Sequence, residues 1–364
     1  MNKLKLAFIG LGRAAQHYAE VIKENLSDEY IFSVGVDQYA ESRSKWKKEN
    51  SGKTFASIDE VSKDDVDIAI ITTPSGSHAE NSKVLLQNGV NVLCEKPIGL
   101  NVEDVVANMA LAKEKNVLYG GVFQNRLNKP IKYIENLFSQ NDFGKIISAS
   151  VKLQWCRFQD YYNDEWHGRW KTDGGVISQQ AIHHIDALFY LFGPPQFLSG
   201  FSGNINNKLE AEDTFVASGT LLKGGFFTIE ATTAVRPEDF SASLEVVTDK
   251  YQISVGGIAL NELTRVKLDG VELSNELKEN SETVKNGYGN GHYHMLKEIS
   301  KNFNDSGKII FPTSAESSLD SIKYIHALYS SVENNSIISF SDDVRSAKLC
   351  LLYTSDAADE SVCV

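Results

Sequence analysis

Two side chains in this sequence, Lys96 and His183, are of types that move or hold protons. Lys96 follows the apolar run Asn91 to Cys94 within Glu95-Lys96-Pro97. A lysine at the carboxyl end of a buried parallel strand lies at the edge where such sheets bind ligands. There its ammonium hydrogen-bonds a substrate hydroxyl and stabilises the alkoxide that precedes hydride loss. The plainer alternative is a surface lysine at a strand end. Gln179, His183 and Asp186 lie four and three residues apart, so one continuous helix from Ile177 to Phe192 sets all three on one face. An imidazole with an ordinary pKa near ~6.5 serves as a general base at neutral pH. The alternative for His183 is a buried helix histidine bonded to Asp186. His184, turned about 100° away, reads as structural.

A nucleotide site precedes both. Leu4 to Ile9 is an almost purely apolar run that delivers into Gly10-Leu11-Gly12-Arg13-Ala14-Ala15, after which apolar positions recur at helical spacing through Tyr18, Ile22 and Leu26. Gly10 permits a sharp turn, and Gly12 lets backbone approach a pyrophosphate. Ala15 is small enough for the helix to pack close on the strand. The pyrophosphate then meets unpaired N–H groups at the helix start, around Arg13 and Ala14. A second run, Tyr30 to Val36, ends on Asp37, at the offset of an acid that accepts from an adenosine ribose. Asp37 repels a 2′-phosphate and Gln38 follows it, which favours NAD over NADP, although Arg43 and Lys45 are close by.

Positioning these residues takes a regular architecture. Asp67 to Ile71 is a strand buried on both faces and Ser77 is expected to cap a helix to Gln87. Asn101 caps another helix to Lys115, and Val117 to Val122 is a further strand. Strand and helix alternate, so residues 1–122 form a parallel, doubly wound sheet. From Phe123 the pattern changes. Strand-like runs at Ile146 to Trp155, Phe197 to Phe201, Thr214 to Leu222, Phe226 to Thr233, Ala242 to Thr248 and Gln252 to Val255 have hairpin-length links. Residues 123–345 therefore read as an α+β domain around one large, mostly antiparallel sheet. Residues 349–364 follow an apparent domain end, resemble translated read-through and are excluded from the expected fold.

Together Ile71-Thr72-Thr73-Pro74, His78, Glu95-Lys96-Pro97 and Ile182-His183 resemble the glucose-fructose oxidoreductase, inositol dehydrogenase and MocA (Gfo/Idh/MocA) family over roughly Leu4 to Phe340. The resemblance implies an α/β fold with an N-terminal Rossmann-type sheet, NAD as cofactor, and oxidation of a secondary hydroxyl of a sugar or sugar nucleotide. It also implies that Thr73, Pro74 and His78 lie along the cofactor loop, that Lys96-Pro97 is cis, and that Glu95 helps place the nicotinamide. Inositol dehydrogenase-like members carry an Asp four residues before the catalytic His. Gln179 stands there in this chain and cannot take a proton. The resemblance, so modified, makes His183 the general base and Lys96 its partner. Trp-x-Gly-x-Trp, Asp-Gly-Gly and an amide before Ile-His look most like UDP-N-acetyl-2-amino-2-deoxyglucuronate dehydrogenases. Two other roles occur on this fold: a nucleotide-bound sensor without turnover, and a redox-assisted glycosidase.

Gln124-Asn125-Arg126 leaves the last strand of the first domain, with Gln124 assigned to the cofactor and Arg126 to the substrate. Trp166 and Arg169, within Trp166-His167-Gly168-Arg169-Trp170, offer a flat apolar face and a bidentate donor for a sugar and an anion, or else an oligomer contact. A net charge of -12 over 364 residues carries no basic stripe and argues against a nucleic-acid partner. No apolar stretch reaches membrane-span length, and the start leaves no room for a signal peptide, so a cytoplasmic protein is expected. Cys94, Cys156, Cys350 and Cys363 show no metal-ligand spacing, and no metal site is expected. Phe226-Phe227-Thr228-Ile229 and Leu244-Glu245-Val246-Val247 are expected to leave the large sheet apolar on its outer face, which predicts homodimers or homotetramers.

Overall fold

The computed structural model describes residues 3–140 and 143–350. The chain divides into two compact units, residues 1–123 with His292–Ile322, and Gln124–Gly291 with 323–364.

The first unit is built on β1 (Leu4–Ile9), α1 (Arg13–Asn25), β2 (Tyr30–Val36), α2 (Ala40–Glu49), β3 (Lys53–Phe55), β4 (Ile68–Ile71), α3 (His78–Gln87), β5 (Asn91–Glu95), α4 (Val102–Lys115) and β6 (Tyr119–Val122). Its strands form one parallel sheet in the order β3-β2-β1-β4-β5-β6. All four residues of β4 are buried, as a strand covered on both faces by helices requires. The Asn101 side chain caps α4 by accepting from Glu103 N at 2.8 Å. Ser77 does not cap α3: its hydroxyl donates to Pro74 O and Thr73 Oγ1 instead, so it braces the preceding loop.

The second unit contains α5 (Lys129–Ser139), β7 (Ile146–Gln154), α6 (Val176–Gln179), α7 (Ile182–Phe192), β8 (Pro195–Gly203), β9 (Thr214–Leu221), β10 (Phe226–Thr232), β11 (Ser241–Thr248), β12 (Tyr251–Gly256), β13 (Glu262–Leu268), β14 (Val271–Glu272) and α8 (Ser274–Glu279). After it come α9 (Gly291–Ser306), α10 (Ala315–Glu333), β15 (Ile338–Ser339) and α11 (Ala347–Cys350). The nine-stranded sheet runs β14-β13-β12-β11-β7-β10-β9-β8-β15, with β7 and β10 parallel and the other pairs antiparallel.

Three expectations are corrected here. The helix expected from Ile177 to Phe192 is two helices, because Ala181 N bonds to Val176 O in a turn one residue wider than an α-turn. Gln179 therefore ends α6 and does not continue the face of α7. The outer face of the large sheet is only partly apolar along the two runs expected to make it so: Phe226 and Val247 face outward, beside Thr228 and Glu245. Phe227, Ile229, Leu244 and Val246 point into the core, and the row Ser199, Ser218, Thr228, Ser150, Glu245, Ser254 crosses the other face. Apolar side chains remain on that face at Phe197, Phe201, Val216 and Phe226. Finally, Leu349 and Cys350 belong to the fold: both are buried in α11, whose start is held by Glu333 through Ser346 Oγ and Ala347 N. The rest of the expected tail, with Cys363, and the start of the chain lie outside the described residues.

No described helix is long and apolar enough to cross a membrane.

Candidate active site

In the first unit, the turn after β1 has the shape a dinucleotide needs. Gly10 sits at φ +88°, and a Cβ there would come within 2.9 Å of Thr73 N, so only glycine allows the turn and the loop after β4 to touch. A Cβ on Gly12 would project into open space, which leaves the turn's backbone accessible to a ligand. Arg13 is exposed and Ala14 half-buried, while Ala15 is fully buried against the sheet. Asp37 Oδ2 accepts from Leu11 N at 2.9 Å and Oδ1 from Tyr39 N at 2.9 Å, so the carboxylate ties the glycine turn to the end of β2. A carboxylate has about four acceptor positions, which leaves room for a ribose hydroxyl. Beyond it lies an open recess of about 530 Å³ lined by Gln38, Tyr39, Glu41 and Lys45. The open cradle at Gly12 and the nearby acid fit a bound NAD.

The loops after β4 and β5 are tied together. Thr72 Oγ1 donates to Gly10 O at 2.6 Å, and Thr73 Oγ1 accepts from Asn81 Nδ2 at 3.0 Å. Pro74 is exposed beside it. His78 is neither surface residue nor open ligand group: it is 1% exposed, with Nδ1 2.7 Å from Pro97 O and Nε2 2.7 Å from Thr73 O. Burial holds its pKa below the ordinary value despite those two carbonyls. Its contribution is to clamp the two loops. The Lys96-Pro97 peptide is cis and Lys96 is half-buried.

Glu95 takes hydrogen bonds that the sequence did not announce. Tyr18 Oη donates to Oε1 at 2.9 Å, and His292 Nε2 to the same oxygen at 3.0 Å. Burial opposes its ionisation, yet the bonds and charge of His292, then Lys96 and Tyr18, hold its carboxyl below the usual range.

In the second unit, His183 near the start of α7 is half-buried, and Gln124 Nε2 donates to its Nε2 at 3.5 Å. That leaves the nitrogen in its proton-accepting form. Gln124 is thus placed beside the imidazole, and its own Oε1 is buried without a protein partner. Asp186 is engaged by Arg126 in a two-pronged pair, Nε to Oδ2 at 2.9 Å and Nη2 to Oδ1 at 2.6 Å, with the Arg126 and Asp186 side chains 5% and 1% exposed. Arg126, expected to receive a substrate anion, spends its guanidinium fork on Asp186 and stacks its flat face 4.5 Å from the Tyr190 ring centroid. His184 is buried and pushed down to about 4 by desolvation, as befits a structural residue.

Trp166 packs its ring on His167 with centroids 3.6 Å apart, and His167 is held by Asp164. Arg169 is exposed, and Gln179 is half-buried at the end of α6. In the Asp173-Gly174-Gly175 segment, Gly175 N donates to Tyr329 Oη, which donates to Glu212 Oε1. Burial pushes Glu212 up to about 7.

Residues 4–122 match the model described as the oxidoreductase family, NAD-binding Rossmann fold, and residues 136–340 that of the oxidoreductase family, C-terminal alpha/beta domain. The protein is an oxidoreductase with an NAD-binding Rossmann domain. The chain belongs to the Gfo/Idh/MocA family. Among solved structures, the WlbA dehydrogenase from Bordetella pertussis, crystallised with NADH and UDP-GlcNAcA, is 25% identical with a TM-score of 0.86, over 93% of this chain and 98% of that one. Glucose-6-phosphate 3-dehydrogenase of Bacillus subtilis (strain 168) is 24% identical over 68% of this chain and 73% of its own length. The scyllo-inositol 2-dehydrogenase (NADP(+)) IolW of the same organism is 25% identical over 54% of each chain. The chain spans about half the length of most other curated relatives it matches.

Proposed function

We propose that this protein is an NAD-dependent dehydrogenase that oxidises a secondary hydroxyl of a sugar nucleotide, with a UDP-sugar acid as the favoured substrate class. The observation that carries the reading is the joining of the glycine turn to the Thr73 and Lys96-Pro97 loops by Thr72 and His78, which ties the loop that bears Lys96 to the Gly10–Gly12 turn within one unit. Likeness to a dehydrogenase crystallised with NADH and UDP-GlcNAcA supports the substrate class. NAD supplies the hydride acceptor when bound. Lys96 hydrogen-bonds the substrate hydroxyl, and His183 takes its proton on the nitrogen that Gln124 now touches. Trp166, Arg169 and Gln179 are assigned to the substrate. Arg126 supports His183 by holding Asp186 on the same helix. NADH formation across a panel of UDP-sugars, UDP-sugar acids and free sugars tests the reading. Turnover is expected with a UDP-sugar acid. A panel without NADH formation, or glycoside cleavage without net NADH, overturns it.

NAD is proposed over NADP because Asp37 is the acid at the ribose position. Asp37→Ala is expected to weaken NADH binding on the order of tenfold, since hydrogen bonds to a charged group are worth roughly 1.5–3 kcal/mol. The same carboxylate also holds Leu11 and Tyr39, so loosening of the turn lowers both affinities together. Ribose recognition is isolated by the ratio of NADH to NADPH affinity in fluorescence titrations, which is expected to fall. Tighter NADPH than NADH binding by the unaltered protein refutes the assignment.

A homodimer or homotetramer is proposed through the outer face of the large sheet. Its apolar residues cluster on β8, β9 and β10, where Phe201 pairs with Val216, and Phe197 and Phe226 flank Thr220. Phe201 and Phe226 are 68% and 66% exposed. Light scattering at micromolar concentration is expected to give an oligomer, and Phe201→Lys with Phe226→Lys a monomer. A monomeric unaltered protein refutes it.

A further inference from the structure

Glu95 is held from two elements far from it in sequence. Tyr18 of α1 and His292 of α9 both donate to its Oε1, at 2.9 and 3.0 Å. Its Oε2 accepts from the backbone N–H of Lys96 at 3.3 Å. The His292 and Glu95 side chains are 3% and 12% exposed. His17 meets the His292 ring edge-on at 5.0 Å, and Tyr18 does so at 4.8 Å. A carboxylate only accepts, so this contact fixes the hydrogen on His292 Nε2.

We propose that His292 is a positioning residue for Lys96, acting through Glu95. The inference rests on the assignment of Lys96 as the substrate-facing lysine. A carboxylate adjacent in sequence to an ammonium competes with a substrate oxygen for its protons. Each hydrogen bond that Glu95 receives from Tyr18 and His292 draws its charge away from Lys96. Among the described residues, the charged and titratable groups around the pair include His17 and Tyr18 on α1, His78 on α3, Cys94 on β5 and Lys96 after it. Burial, then His292, pushes His17 down to about 4 against the pull of Glu95, so His17 is neutral at pH 7. Without the His292 donor, Glu95 becomes a stronger partner for Lys96 and the protonated lysine is favoured.

The Lys96 ammonium is read directly by NMR titration of the reductively 13C-methylated full chain, its resonance assigned with Lys96→Met. His292→Leu is expected to raise the Lys96 midpoint by about half a pH unit or more, a modest change for loss of one neighbouring donor. His292→Gln, which keeps an N–H at that position, restores it. An unchanged midpoint in His292→Leu, or an equal rise in both variants, overturns the proposal. Tyr18→Phe removes the other donor to the same oxygen and gives the same test if His292→Leu does not fold: a rise supports the proposal and no change overturns it. With substrate, His292→Leu is expected to lower kcat on the order of tenfold with KM for NAD unchanged, and His292→Gln to recover most of it. Absence of NADH formation by the unaltered protein with every sugar counts against the dehydrogenase reading, while the titration still decides the role of His292.

Discussion

His183→Asn is expected to lower turnover on the order of a hundredfold or more while NADH binding stays nearly unchanged. Hydride loss from an alcohol carbon requires the hydroxyl proton to leave, and an unassisted alkoxide is very unfavourable in water at neutral pH. Lys96 stabilises the developing negative charge, but an ammonium full of protons accepts no more. The imidazole nitrogen that now accepts from Gln124 is in the form that takes the proton. Lys96→Met is expected to cost at least as much. The double variant then costs far less than the product of the two, because both residues act on one proton. Steady-state kinetics and NADH fluorescence titrations on the four proteins make the check. Full turnover in His183→Asn beside an inactive Lys96→Met moves the base to a neutral Lys96.

The second large effect is on stability. Asp186→Ala is expected to destabilise the second unit by about 3–5 kcal/mol, the cost of removing one partner of a buried ion pair. Arg126 and Asp186 are 5% and 1% exposed, so water does not reach the guanidinium left behind. Replacing both, as Arg126→Met with Asp186→Leu, is expected to recover most of that loss, because no buried charge then remains. Urea unfolding followed by tryptophan fluorescence measures both. A single variant within about 1 kcal/mol of the unaltered protein shows the pair to be energetically idle.

Both tests turn on contacts that differ in how far they could be read from the sequence. The cofactor turn was legible because each requirement is local: a buried strand, Gly10 where φ is positive, Ala15 against the sheet, and an acid at a fixed offset. The Asn101 cap was legible for the same reason. The break between α6 and α7 was not, since nothing in Gln180-Ala181 disfavours a helix and the wider turn arises where Glu212 O takes the Val176 N–H. Strand β13 was missed because Leu263 and Val266, its buried residues, are three apart, across a strand pair whose register shifts between Ser254 and Val255. Arg126 reads as a substrate residue in the sequence because its partner stands 60 residues away, and His292 carries no sequence signal because Glu95 stands 197 residues away. Spacing rules describe neighbours on one element, and neither pair is of that kind.

The return of His292–Ile322 to the first unit bears on how the protein is made. When the ribosome has released residue 123, the six parallel strands exist, but the unit is unfinished. Tyr30 Oη still lacks Leu296 O, Gly121 O lacks the Thr313 hydroxyl, and Glu95 lacks His292. Those partners are translated only after the first and longer segment of the second unit, Gln124–Gly291. Domains that are continuous in sequence fold in turn as they emerge. Here the nucleotide-binding half is begun first and completed late, so a nascent chain gains a finished cofactor unit only after every strand of the large sheet but β15 has been synthesised.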